Sequence, residues 1–182
     1  MIERIFLTAD LHLSHNNVRR YCQRPFGSCK EMDETILNNW NEVVPENGEV
    51  YILGDVTFGS PGYTGPLLSG MKGKKYLIRG NHDKTSRIKK IEHCFEWIKD
   101  YHELIVQEHK KKHMVVLSHY AFRVWNKSHH GSYHAFGHSH GTLKVPETSL
   151  SMDVGVDCHN FYPVSLVKFI EEMERRRKLW VI

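Results

Sequence analysis

Two hydrophobic patterns alternate along this chain. Short β-prone apolar runs recur at Arg4–Ala9, Glu49–Leu53, Lys75–Arg79, Met114–Ser118, Tyr133–Phe136 and Ser151–Val156, and each predicts a strand. Between the first two, Met32, Ile36, Leu37, Trp40 and Val44 share one helical face, with Asp33 and Glu34 in the favourable first turn, so Met32–Val44 predicts a crossover helix. Ile88, Ile91, Phe95 and Ile98 repeat that spacing and predict a second helix over Ser86–Ile98. Leu104–Gln107 and Met114–Leu117 flank the polar turn His109–His113 and predict a hairpin. Val164–Leu179 predicts a terminal helix whose basic residues 175–178 suit its C-terminal dipole, as a solvated helix end rather than a nucleic-acid site. The Gly- and Pro-rich segment Gly59–Gly73 predicts a surface loop with a short helix around Pro66–Leu68. Strands alternating with helices indicate an α/β architecture. No repeat or linker interrupts the 182 residues, so residues 1–182 are expected to form one domain.

Composition narrows the function classes. A net charge of +4 suits acidic substrates but falls short of a histone-like electrostatic binder. Cys22, Cys29, Cys94 and Cys158 form no C-x-x-C pair, and Glu3, Arg4 and Asp10 break any secretory apolar region. Reduced thiols and a soluble, cytoplasmic protein are expected, since no apolar stretch is long enough to span a bilayer. The unusual feature is the 14 histidines, the side chains most suited to transition metals and to proton transfer near neutral pH.

The strand candidates end in metal-binding residue types: Asp10-Leu11-His12, Gly54-Asp55, Gly80-Asn81-His82-Asp83, Ser118-His119 and Gly137-His138-Ser139-His140. In open α/β sheets ligands collect beyond the carboxyl ends of the strands, so residues far apart in sequence can converge there. In extended backbone, alternate side chains share a face, so Asp10/His12 and His138/His140 are each expected to direct two ligands into one cavity. Carboxylates, one amide oxygen and imidazoles without thiolates suit a catalytic divalent ion rather than a structural zinc. Asp10, His12, Asp55, Asn81, His119, His138 and His140 are too many ligands for one ion, and a bridging carboxylate between two would account for them.

The motifs D-x-H, G-D, G-N-H-D, an isolated H and G-H-x-H, in this order over residues 4 to 170, resemble the calcineurin-like metallophosphoesterase superfamily. Residues 119–126, with Asp153-Val-Gly-Val-Asp157 and Phe161-Tyr-Pro-Val-Ser165, resemble its small stand-alone bacterial and phage members. The resemblance implies a two-sheet sandwich flanked by helices. It implies two divalent ions, manganese first, with iron, zinc, nickel, cobalt or magnesium as alternatives. It assigns Asp10, His12, Asp55 and His140 to one ion and Asp55, Asn81, His119 and His138 to the other, with Asp55 as the bridge. His82 becomes the general acid facing the leaving group, held by Asp83. After Asp55 the chain lacks the arginine of the serine/threonine protein phosphatases, and Asp83 replaces their glutamate, so a phosphoprotein substrate is not expected.

The expected activity is phosphoester hydrolysis, with diesters favoured over monoesters, on a small molecule or a nucleic-acid end, without a membrane partner; the oligomeric state stays open. A catalytically silent scaffold of the same fold and a nucleic-acid binding module are the alternatives. Asn81 and His82 are expected to touch substrate. Arg123, with Trp125 and Asn126, offers either substrate contact or loop packing. Arg19, Arg20 and Arg24 offer either a phosphate-binding rim or a solvated helix face. His15, His129, His130 and His134 stand outside the metal set and offer either substrate contact or rim and solvent-exposed positions.

Overall fold

The computed structural model of the chain describes residues 2–108 and 111–180. Among the described residues, nine strands form two sheets. β1 (Ile5–Thr8), β2 (Glu49–Ile52), β3 (Lys74–Ile78) and β4 (Trp97–Lys99) run parallel, and β9 (Val164–Ser165) pairs antiparallel with β1, in the order β4-β3-β2-β1-β9. The second sheet has the order β5-β6-β7-β8, from β5 (His102–Glu108), β6 (Lys111–Leu117), β7 (Tyr133–Phe136) and β8 (Ser151–Asp153); β5 and β6 are antiparallel and the other pairs parallel. Helices α1 (Val18–Tyr21), α2 (Cys29–Val43), α3 (Pro61–Gly70), α4 (Thr85–Ile88) and α5 (Leu166–Arg177) complete the fold, the expected two-sheet sandwich with flanking helices.

The period-two alternation of the first sheet divides its side chains between two cores. Leu7, Tyr51, Leu53 and Ile78 join Leu104, Val115, Leu117 and Ala135 of the second sheet, and Leu166, Phe169, Ile170 and Met173 of α5 close the same core. Phe6, Val50, Ile52 and Leu77 point the other way, onto Met32, Ile36 and Trp40 of α2 and Leu68 of α3. Burial on both faces is why these strands read as unbroken apolar runs. Trp40, fully buried with its indole N–H on the Lys72 carbonyl at 2.9 Å, anchors α2; its truncation to Ala costs about 3–5 kcal/mol. Ser28 caps α2 by accepting from the Glu31 N–H, while the Glu31 carboxylate accepts from the Gly27 N–H, a variant of the capping box.

Several elements differ from expectation. Ser86–Ile98 is not one helix: α4 lasts one turn, a 3₁₀ turn covers Glu92–Cys94, and Trp97–Lys99 is a strand. Ile88, Ile91 and Phe95 still reach the helix-side core, but pairing with β3, including the Glu96 N–H on the Lys75 carbonyl, overrides the local helical spacing. The Gly59–Gly73 segment contains a full helix, α3, started by Pro61 at its first turn. At the C-terminal end, Val164 and Ser165 serve as β9, and Ser165 caps α5, which therefore starts at Leu166. The hairpin pairing forms as expected; of the expected turn His109–His113, residues 109 and 110 lie outside the described residues and 111–113 belong to β6. No helix of the described residues is long and apolar enough to cross a membrane.

Candidate metal centre

The loops that follow β1, β2, β3, β6 and β7 meet at one end of the sandwich, because parallel strands in both sheets point their carboxyl ends the same way. Backbone pairing continues past the strands and fixes the loops to one another: Asp10 N–H on Gly54 O, His12 N–H on Asp55 O and Leu13 N–H on Val56 O, at 2.9–3.0 Å. Gly137 N–H on His119 O does the same in the second sheet, at 2.9 Å.

The expected extended backbone is absent at the paired ligands. Asp10, His12, Asp55, His138 and His140 all have positive φ, between 47° and 66°. Each such non-glycine residue costs about 1–2 kcal/mol, so the surrounding packing must hold these turns in place. Left-handed turns reverse the chain sharply enough to aim several short side chains into one space. Gly54 has φ 93°, and a Cβ there would strike the His119 imidazole and the Gly80 backbone, so only glycine lets the β2 and β3 loops approach this closely.

Among the expected ligands, two clusters result. Asp10, His12 and His140 bring donor atoms within 4.8 Å of one another, and so do Asp55, His119 and His138. Asp55 lies between them: its Oδ2 is 3.5 Å from His12 Nε2 and 3.6 Å from His119 Nε2. The Asn81 amide oxygen is 2.9 Å from His119 Nε2, on the side of the second cluster. The seven expected metal residues are thus brought together, with Asp55 between the two groups.

The surroundings turn the right ring nitrogens inward. His119 Nδ1 donates to the Leu53 carbonyl and His140 Nδ1 to Asp157, each at 2.7 Å, which leaves each Nε2 outside those bonds, that of His119 3.6 Å from Asp55 Oδ2. Among the described residues, the buried atoms Asp10 Oδ1 and His12 Nε2 have no hydrogen-bond partner. Burial, with Asp153 and Asp55 nearby, pushes the Asp10 carboxyl well above its usual range, against the opposing pull of His140. Burial and the Arg24 charge push His12 down to about 2. Burial also works against a charged His140, but its bond to Asp157 and the nearby Asp10 outweigh this and raise it to about 10. Buried carboxylates crowded together with an unpaired oxygen and a neutral imidazole form a set that a divalent cation would satisfy.

His82 lies beside this set without belonging to either cluster. Its N–H donates to Asp55 Oδ1 at 2.9 Å, and its Nε2 is 4.0 Å from Asp55 Oδ2, on a side chain 43% exposed. The expectation that Asp83 holds the His82 ring is corrected. Both Asp83 oxygens are taken by backbone N–H groups, of Asp55 and Gly80 on Oδ2 and of Val56 on Oδ1, at 2.8–3.0 Å. The aspartate ties the loops after β2 and β3 together and stays off the imidazole. The ring instead packs beside Phe58, 4.8 Å away, which also stacks on His15 at 3.7 Å.

Other residues also moved from their expected places. Arg24 is neither rim nor solvated face: it is 4% exposed and donates to the Asp10 and Leu11 carbonyls and, through two nitrogens, to Asp157. Arg24 and Asp157 therefore support Asp10 and His140, a function that the isolated Arg in sequence did not signal. Arg19 binds Phe26 O, Gly27 O and Asn16. His134 is fully buried, bonded to Val116 O and Phe122 N–H. His15 stands beside His12, with 3.3 Å between their Nδ1 atoms. Arg123 is exposed at a cavity next to the centre.

The chain is 33% identical to the uncharacterised protein MJ1445 of Methanocaldococcus jannaschii, over 94% of this chain and 93% of that one. Over 43% of its length it is 36% identical to the Gene 66 protein of Mycobacterium phage L5, covering 39% of that protein. A crystal structure of AQ665, a protein of unknown function from Aquifex aeolicus, shares the fold, with a TM-score of 0.68, 19% identity and coverage of 92% of this chain and 97% of the other. The model of the calcineurin-like phosphoesterases matches residues 3–142, most of the chain and all of the ligand loops, so this protein belongs to that family and is a metal-dependent phosphoesterase.

Proposed function

We propose that the clusters hold two divalent ions, Asp10, His12, Asp55 and His140 around one and Asp55, Asn81, His119 and His138 around the other, and that the enzyme prefers phosphodiesters. The observation that carries this reading is the single Asp55 oxygen lying 3.5 and 3.6 Å from an imidazole of each cluster. Manganese is the first choice for a mixed carboxylate, amide and imidazole set, with iron, zinc, nickel, cobalt and magnesium behind it. Bound there, such ions neutralise phosphoryl charge and acidify water at the site.

The protein supplies the remaining steps. In an in-line displacement a water oxygen would form the new bond to phosphorus as the opposite P–O bond breaks, its proton leaving to solvent. His82, outside both clusters and partly exposed beside Asp55, gives its Nε2 proton to the departing oxygen. Asn81 and the His82 ring contact the phosphoryl oxygens. Diesters are favoured because two arginines beside the ligand loops are already engaged: Arg24 on Asp157 and backbone carbonyls, Arg87 on the Thr57 and His82 carbonyls. A dianionic monoester would miss such a clamp more than a monoanionic diester does. The basic run of α5 lends little to a nucleic-acid module, since Arg175 and Arg176 pair with Glu172, and Arg177 with Glu174.

The test is to strip the protein of metal, restore Mn²⁺, Ni²⁺, Zn²⁺ or Mg²⁺ separately, and compare bis-p-nitrophenyl phosphate with p-nitrophenyl phosphate while counting ions by elemental analysis. Two ions per chain and faster diester hydrolysis are expected. Saturation at one ion defeats the shared Asp55, and a faster monoester reverses the substrate preference.

A further inference from the structure

The two segments that follow His119 and His140 border an open cavity of about 430 Å³ against the second sheet. Its walls are mostly apolar, with Phe122, Trp125, Phe136 and Leu143 prominent, and two cations, Arg123 and Lys144, belong to its lining. Among the described residues neither cation has an ion-pair or hydrogen-bond partner, whereas Arg19, Arg24, Arg79, Arg87 and Arg176 all do. A second groove, lined by Asn81, His119, Tyr120 and Phe122, opens directly on the second ligand cluster. Phe122 lines both spaces, so the groove and the cavity adjoin. Tyr120, 48% exposed, stacks edge-on against His138 and leads from the cluster toward Phe122.

We infer that this cavity is the subsite for one ester substituent of the substrate, and that it takes a planar, largely apolar group bearing a second anionic group. Aromatic walls favour a flat apolar group by burial and stacking, and unpaired guanidinium and ammonium groups at the same cavity select for negative charge. Carboxylate, sulfonate and phosphate would all meet the same two cations. The inference rests on the hydrolytic reading above, because only that reading puts a phosphoester in the adjoining groove.

The experiment separates the two. Binding of 2-naphthalenesulfonate, with neutral 2-naphthol and methanesulfonate as controls, is measured by calorimetry on the full metal-free chain, where no hydrolysis is involved. The naphthalenesulfonate is expected to bind more tightly than either control, and Arg123→Gln and Leu143→Ser are each expected to weaken it about fivefold or more. Both side chains are exposed, and thermal melts check that the variants fold. On metal-loaded protein, the preference in kcat/KM for a diester with a sulfonated naphthyl substituent over bis-p-nitrophenyl phosphate is expected to collapse in both variants. Equal binding of naphthalenesulfonate and naphthol, binding unchanged in both variants, or a preference that survives them overturns the subsite. Binding as expected with no hydrolysis of any diester instead overturns the hydrolytic reading, and the substituent's role falls with it.

Discussion

The loops of the two sheets build the centre in different ways. The first sheet contributes both carboxylates, the amide and one imidazole, as Asp10, Asp55, Asn81 and His12, whereas the second contributes imidazoles alone, His119, His138 and His140. Asp10, His12 and Asp55 are buried and cross-tied by backbone pairing, with Asp83 holding two further N–H groups of the Asp55 loop. His138 is exposed and His140 partly so. A buried carboxylate needs fixed partners far more than a neutral imidazole does, so the negative ligands are placed where the backbone is held most firmly. Asp55 of the first sheet should therefore govern the whole centre, and each second-sheet imidazole only the cluster to which it belongs.

The strongest attack on that contrast compares Asp55→Asn with His138→Ala. Loss of the shared charge should empty both sites and abolish activity, while loss of His138 should cost one ion and leave the other. Elemental analysis with anomalous scattering reads the difference. Equal metal loss in the two variants would mean that the sheets contribute alike.

His82→Ala comes next, because it removes a first-sheet residue that is not a ligand. Both ions should stay, and activity on an alkyl ester should fall about 10²- to 10⁴-fold, less on a nitrophenyl ester whose leaving group needs no proton. An emptied metal site, or equal slowing of the two esters, would remove His82 from the proton-donor role.

These roles were legible to different degrees in the sequence. Residue type after a strand pointed to the side chains that the structure brings together, because metal chemistry restricts the donors and parallel strands bring their ends together. The left-handed turns at Asp10, His12, Asp55, His138 and His140 were not legible, since Asp and His adopt positive φ more readily than most residues yet only tertiary packing selects where they do. Arg24–Asp157 pairs residues 133 apart and carried no local signal. At Ile88, Ile91 and Phe95 the burial was legible but the element was not, because the same spacing serves a helix or a turn followed by a strand. Asp83 shows the limit of reading by adjacency: next to His82 in sequence, it faces the backbone of another loop.

Asp83→Asn therefore tests the cross-ties rather than the chemistry. Burial raises the Asp83 carboxyl above its usual range while its N–H donors oppose that shift. An amide puts its own NH₂ against one of those donors, a loss of about 2–3 kcal/mol in the urea stability of the metal-free protein. Unchanged stability together with slowed hydrolysis would return Asp83 to a role at the His82 ring.

The smallest expected effect lies in the second sheet and concerns pH. His134, fully buried, donates from Nδ1 to Val116 O and accepts at Nε2 from the Phe122 N–H, so a proton on Nε2 would oppose an existing donor. Burial lowers its pKa from 6.5 to about 4. The unfolded chain takes up this proton near the usual value and the folded chain only near 4, so between these limits the unfolded state holds more protons. Stability from this residue is therefore complete above about pH 6.5 and declines as the pH falls toward 4, by about 1.4 kcal/mol at about pH 5.5. His134→Phe keeps a ring against Phe122, now 5.1 Å away and parallel within 9°, but cannot titrate. The variant loses two hydrogen bonds at every pH, so the informative quantity is the difference between wild type and variant in urea melts of metal-free protein. That difference should narrow by about 1.4 kcal/mol between neutral pH and about pH 5.5. A constant difference would mean that His134 accepts its proton without strain, and that the second-sheet loop after His119 adapts to charge as the first-sheet loops cannot.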